Sequence, residues 1–121
     1  METNESPCEE TLAFLSISVD DVVSIEVGPG CFRKDLPSPN GVRVWVVDMV
    51  PGSEWPYVDE HGETGEQLIV ISGEVIEGDE RYQAGTYLSF GPGSSHRPRT
   101  ETGSRLFGFN LVAASDAERM A

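Results

Sequence analysis

Positive charge is scarce in this chain: 8 Lys and Arg stand against 21 Asp and Glu, a formal charge of −13 over 121 residues. A field of that sign repels phosphate backbones and anionic bilayers, which excludes nucleic acid and membrane surfaces as partners. Long apolar runs are also missing, and none approaches the roughly 20 residues that a spanning helix needs. The two cysteines, Cys8 and Cys31, are isolated and form no Cys-x-x-Cys pair. Both residues are read most simply as free thiols in a reducing compartment. The N-terminal stretch METNESPCEE is acidic and polar, unlike a signal or transit peptide, so the expected location is cytoplasmic. Histidine is nearly absent as well: only His61 and His96 are present.

What the chain does have is strand composition. Short segments rich in Val, Ile, Phe, Tyr and Trp lie at 12–18, 22–27, 31–36, 42–50, 66–73, 80–83, 86–90 and 104–112. Such residues suit half-buried pleated surfaces. Turn signals separate them: GPG at 28–30, PSPNG at 37–41, PGS at 51–53, EGD at 77–79 and GPGSS at 91–95. Eight short strands at this spacing predict an all-β antiparallel sandwich or barrel. The length suits one domain, burying roughly two-thirds of the surface of its unfolded chain. Residues 1–10 are expected to be a frayed tail, 11–113 the domain, and 114–121 a short tail of helix-forming composition.

Both histidines sit in polar settings beside strands. Asp59 and His61 are two residues apart in PYVDEHGETGEQLIVISGE and would share a strand face. Glu66, Leu68 and Val70 form a second same-face set, with Glu66 as the polar head of an apolar lining. His96 follows the turn GPGSS. If two hairpins bring Asp59, His61, Glu66 and His96 together, their nitrogen and oxygen donors suit divalent iron, manganese, nickel or zinc. Otherwise His61 is an ordinary histidine in a solvated acidic turn. Among the apolar strand residues, Trp45, Phe107 and Phe109 are candidates to line a pocket with Leu68. Trp55 precedes the first motif and either lids the mouth or caps the sheet. Arg43 or Arg105, pointing inward, could hold a substrate carboxylate or enolate; otherwise each forms a surface ion pair of little energetic value.

With these residues in view, the chain resembles a small single-domain cupin. The first cupin motif reads Gly, five residues, His-x-His, three or four residues, Glu, six residues, Gly. DEHGETGEQLIVISG matches it with His61, Glu66 and Gly73. The second reads Gly, five residues, Pro-x-Gly-x-x-His, three residues, Asn, and GTYLSFGPGSSH matches it with Gly85, Gly93 and His96. The wider stretch 41–112 is closest to the ChrR-type cupin-like domains. The resemblance implies a jelly-roll barrel of the RmlC-like kind and a metal held by His61, Glu66 and His96. The first motif histidine falls on Asp59, the first motif glycine lands one place early on Gly52, Gly91 replaces the motif proline, and Thr100 stands for the asparagine. Asp59 is accordingly a fourth ligand, a general base, or a residue that orients His61. A shifted register would put Glu60 or Glu63 in the ligand place instead.

Two functions follow from the resemblance. One is a small metalloenzyme with dioxygenase, isomerase, lyase or cyclase chemistry on a small organic substrate inside the barrel, with Asp59 as the catalytic group. The other is a ligand- or metal-sensing regulatory module that finds its partner in trans. A metal-free structural cupin is the third reading. Homodimerisation is expected, with 12–18 or 22–27 closing an open sheet edge.

Overall fold

The computed structural model describes residues 14–38 and 41–111. Among them nine strands run in antiparallel pairs: β1 (Ile25–Gly28), β2 (Cys31–Leu36), β3 (Val42–Met49), β4 (Asp59–Glu60), β5 (Glu66–Glu77), β6 (Glu80–Gln83), β7 (Tyr87–Phe90), β8 (Ser95–His96) and β9 (Ser104–Leu111). The larger sheet is ordered β1-β2-β3-β9-β5-β6, with β7 also on β5, and β4 pairs with β8 in a separate ladder. This is the expected all-β jelly roll. The tails at 1–10 and 114–121, Cys8, Leu12, Ala13 and Val112 lie outside the described residues.

One expected strand is not formed. Residues 14–18 of the segment 12–18 carry no ladder, and Val19–Asp21 make a single 3-10 turn instead. Contacts from the sheet to Val19 and Asp20 explain the difference. The Lys34 ammonium donates to the Val19 carbonyl at 3.1 Å, and Arg105 reaches Asp20 at 3.5 Å. These contacts draw the segment across β2 and β9 as a strap rather than along a sheet edge. Phe14 and Leu15 are left exposed. The segment expected at 22–27 begins pairing only at Ile25.

β5 organises the barrel. Its first half pairs with β7 and β9, and its second half with β6. A register shift between Val70 and Ser72, followed by Gly73 at φ 71°, turns the strand from one half of the roll to the other. A side chain at Gly73 would collide with the Gly103 carbonyl, so this position requires glycine. The core beneath is Cys31, Val47, Met49, Trp55, Leu68, Val70, Val75 and Leu106, with Leu88 and Phe90 packed against it. Each such aliphatic side chain contributes about 1.5–3 kcal/mol through burial.

Candidate metal centre

The short β4–β8 ladder joins the two motifs. Asp59 lies opposite His96, and the His61 N–H donates to the Ser94 carbonyl at 3.0 Å. Glu66, the first residue of β5, pairs with Phe90 of β7. The phenyl ring of Phe90 packs on both imidazoles, at 4.9 Å from His61 and 4.4 Å from His96. The outcome is a four-donor cluster: Asp59, His61, Glu66 and His96 each offer one ligand atom, all within 4.8 Å of one another. His61 Nε2 lies 3.5 Å from both Asp59 Oδ2 and Glu66 Oε2. His96 Nε2 lies 3.4 Å and 3.7 Å from the same two oxygens. Glu60 and Glu63 are exposed and take no part, so the alternative register is not adopted.

Hydrogen bonding determines which ring nitrogens face the cluster. The Ser94 hydroxyl gives its proton to the Gly91 carbonyl at 2.6 Å, so it accepts from His61 Nδ1–H at 2.8 Å. The Glu77 carboxylate accepts from His96 Nδ1–H at 2.8 Å. Both Nε2 atoms therefore point at Asp59 and Glu66. His61 Nε2 is buried with no hydrogen-bond partner, an arrangement that costs stability unless a cation completes it. Imidazole nitrogens oriented through their far N–H, set beside carboxylate oxygens, are the usual support for a bound divalent ion. The residues fit one.

Without an ion, protons do part of that work. Burial raises the Glu66 carboxyl to about 7, and the negative charge of Asp59 adds to the effect. Burial pulls His96 down, but its bonds to Asp59 and Glu77 and the surrounding carboxylate charge outweigh it and raise the group to about 9. Burial and the neighbouring His96 charge lower His61.

A cavity of about 170 Å³ opens on the cluster. Asp59, Glu66 and His96 line it, while the side chain of His61 is closed off at 1% exposure. Of the expected pocket residues, Arg43, Trp45 and Leu68 face it, and so does Trp55. Phe107 and Phe109 do not; this is a correction. They share a face of β9, but it is the outer one, and the inward positions belong to Leu106, Gly108 and Asn110. Gly108 has no side chain because the Trp45 indole lies against it, and Trp45 Nε1–H donates to Asn110 Oδ1 at 3.2 Å. Arg105 is also outside, bound to Asp48 at 2.7 Å.

Ser94 and Glu77 went unread in the sequence. Both stand in segments that look like simple turns, and only the bend of β5 brings Glu77 to His96. The two ends of that one strand grip opposite nitrogens of the same imidazole. Thr100, at the place of the family asparagine, is buried and donates to the Glu74 carbonyl at 2.8 Å, a structural role.

The chain matches the family model of the ChrR Cupin-like domain over residues 14–112. Comparison with curated protein sequences finds no significant match. Among solved structures, it is similar to an RmlC-like cupin from Shewanella frigidimarina, with TM-score 0.67 and 22% identity over 80% of this chain and 89% of that one. It is also similar to the complex of Rhodobacter sphaeroides SigE with the anti-sigma ChrR, with TM-score 0.66 and 20% identity over 77% of this chain and 51% of the other. A third is the polyketide cyclase RemF from Streptomyces resistomycificus, with TM-score 0.68 and 15% identity over 81% and 79%. At these identities the likeness establishes the fold alone.

Proposed function

The chain belongs to the ChrR cupin-like family, and from that premise we propose that it is a metal-dependent cupin enzyme acting on a small organic substrate inside the barrel. The observation that carries this reading is the cavity that opens directly on three of the four donors. A divalent ion held by His61, Glu66, His96 and Asp59 would supply Lewis-acid polarisation of a substrate oxygen and, if iron, redox chemistry with dioxygen. Mixed nitrogen and carboxylate donors favour iron chemistry of the dioxygenase kind.

The chain's own residues supply the rest. Ser94 and Glu77 hold the two imidazoles in the binding tautomer. Asp59 is the most exposed donor, its side chain 32% accessible, and it borders the cavity. It is therefore the group placed to take a proton from substrate. Trp45, Leu68 and Leu106 present apolar wall that keeps water from the reacting end.

Family membership supports a second reading, a metal- or ligand-sensing module without catalysis, since a structure of similar fold is the anti-sigma ChrR bound to SigE. For either function we place the protein in the cytoplasm as a homodimer. Support comes from the buried free thiol of Cys31 and from β1, an edge strand that carries the exposed Ile25. Elemental analysis of protein purified without added metal separates the readings, followed by dioxygen uptake with small diketones and thiols. Iron with turnover supports the enzyme, and zinc without turnover supports the sensor. A chain that holds no stoichiometric metal contradicts the metal site itself.

A further inference from the structure

Arg43 is the cavity residue to which the metal reading gives no task. It lies on β3 directly opposite Asn110 of β9. Continuing the β9–β5 register one residue beyond Gln67 and Phe109 sets Glu66 beside Asn110. A row across three strands thus runs Arg43, Asn110, Glu66, and all three line the cavity. Neighbouring strands are about 4.8 Å apart, so the backbones of Arg43 and Glu66 are separated by about 10 Å.

Among the described residues the Arg43 side chain has no ion pair and no hydrogen bond. The other cations near carboxylates are committed: Arg33 to Asp35, Lys34 to Asp20, Arg81 to Glu74 and Glu101, Arg97 to Glu54, Arg105 to Asp48. In a chain with 21 acidic residues, a guanidinium left without a partner at a cavity wall is available to an anion from outside. Arg33, the other arginine lining the cavity, is already neutralised by Asp35. A bound divalent ion would offset Asp59 and Glu66, the carboxylates that otherwise repel such an anion. Asn110 stands between the two charged ends, and the next rows of the same face supply an apolar wall of Trp45, Leu68 and Leu106. The cavity is well below the roughly 300–1,000 Å³ of pockets for drug-sized ligands, which restricts the occupant to a small molecule.

We propose that the cavity binds a small organic carboxylate, its carboxylate on the Arg43 guanidinium, its short hydrocarbon part on Trp45 and Leu68, and a second oxygen function at the donor cluster. This substrate class rests on the metal-dependent reading above. A planar guanidinium suits a carboxylate through two parallel N–H donors, and neutralising the ligand or removing the fork abolishes that match.

The test uses zinc-loaded protein and three carboxylates, levulinate, pyruvate and benzoate, each beside its methyl ester. Trp45 and Trp55, the only two tryptophans, both line the cavity, so intrinsic fluorescence reads occupancy and calorimetry gives affinity. At least one carboxylate is expected to bind saturably and at least tenfold more tightly than its ester. Arg43→Gln is expected to weaken the carboxylate at least tenfold and leave the ester unchanged, while Arg43→Lys retains part of the affinity. The inference is overturned if Arg43→Gln leaves carboxylate affinity unchanged, if esters bind as well as acids, or if no carboxylate binds. Zinc stoichiometry measured on the same samples keeps the two readings apart. Protein that holds no zinc counts against the metal site, and the Arg43→Gln comparison on metal-free protein then decides the anion contact by itself.

Discussion

Glu66 and Glu74 stand eight residues apart on the same strand, both nearly buried, yet they have opposite fates. Glu74 is 5% exposed, and Arg81 grips both of its oxygens at 2.9 and 3.1 Å, with the Glu101 N–H adding a third bond. Burial would raise its carboxyl, but the Arg81 guanidinium and the backbone N–H groups outweigh it and hold the group below the usual carboxylate range. Glu66 is 9% exposed and faces only two imidazole nitrogens and another carboxylate. Its carboxyl rises to about 7. Glu74 belongs to a finished ion pair that serves the fold. Glu66 belongs to one that lacks its permanent cation. A strand that completes one carboxylate and leaves the next open has a place for a metal at the second.

The contrast breaks most severely at the imidazoles. His96→Ala or His61→Ala is expected to take metal content from one per chain to near zero at micromolar metal, read by elemental analysis after desalting. Next in size is Glu77→Gln, which leaves all four donors in place but weakens the carboxylate that orients His96. Metal affinity is expected to fall about 10–100-fold, with the fold unchanged by circular dichroism. Unaltered affinity would mean that Glu77 only packs.

The pH dependence follows from the same imbalance. Glu66 and His96 both have folded values above their ordinary 4.5 and 6.5, so the metal-free fold holds protons that the unfolded chain releases. Their contribution to stability is fully present below the ordinary values. It is lost as pH rises through about 7 for Glu66 and about 9 for His96. Metal displaces those protons, so the gap in melting temperature between loaded and metal-free protein should widen from pH 6 to pH 9. A constant gap would contradict the assignment. The smallest effect on the metal belongs to the Glu74–Arg81 pair. Arg81→Met is expected to lower the melting temperature by several degrees and leave metal affinity within twofold, since it exposes only the finished pair.

Much of this was legible in the chain itself. Segments such as 42–50 and 104–112 carry β-branched and aromatic residues between turn signals, and they form β3 and β9 nearly as expected. His61, Glu66 and His96 were legible because they sit at motif spacings anchored by glycines at positive φ, Gly73 above all. Asp59, by contrast, stands where the motif has histidine, and the motif glycine before it lies one place early. The inner and outer faces of β9 were not. Both are apolar, and the larger residues Phe107 and Phe109 point outward because the Trp45 indole already fills the space over Gly108. Glu77 was hidden for another reason. The register shift after Val70 breaks the alternation of faces along β5, so no periodicity connects Glu77 with Glu66. The segment at 14–18 has strand composition, but Lys34 and Arg105 reach the turn at Val19 and Asp20 and pull the chain off the sheet edge.

Zinc titrated into metal-free protein at pH 7, in two buffers of different ionisation enthalpy, tests the central claim most directly. The account predicts saturation at one ion per chain with release of about one to two protons, from His96 and part of Glu66. The paired substitution His61→Ala with His96→Ala should abolish both signals. Uptake that does not saturate, or that survives in the double variant with the same proton release, would contradict it.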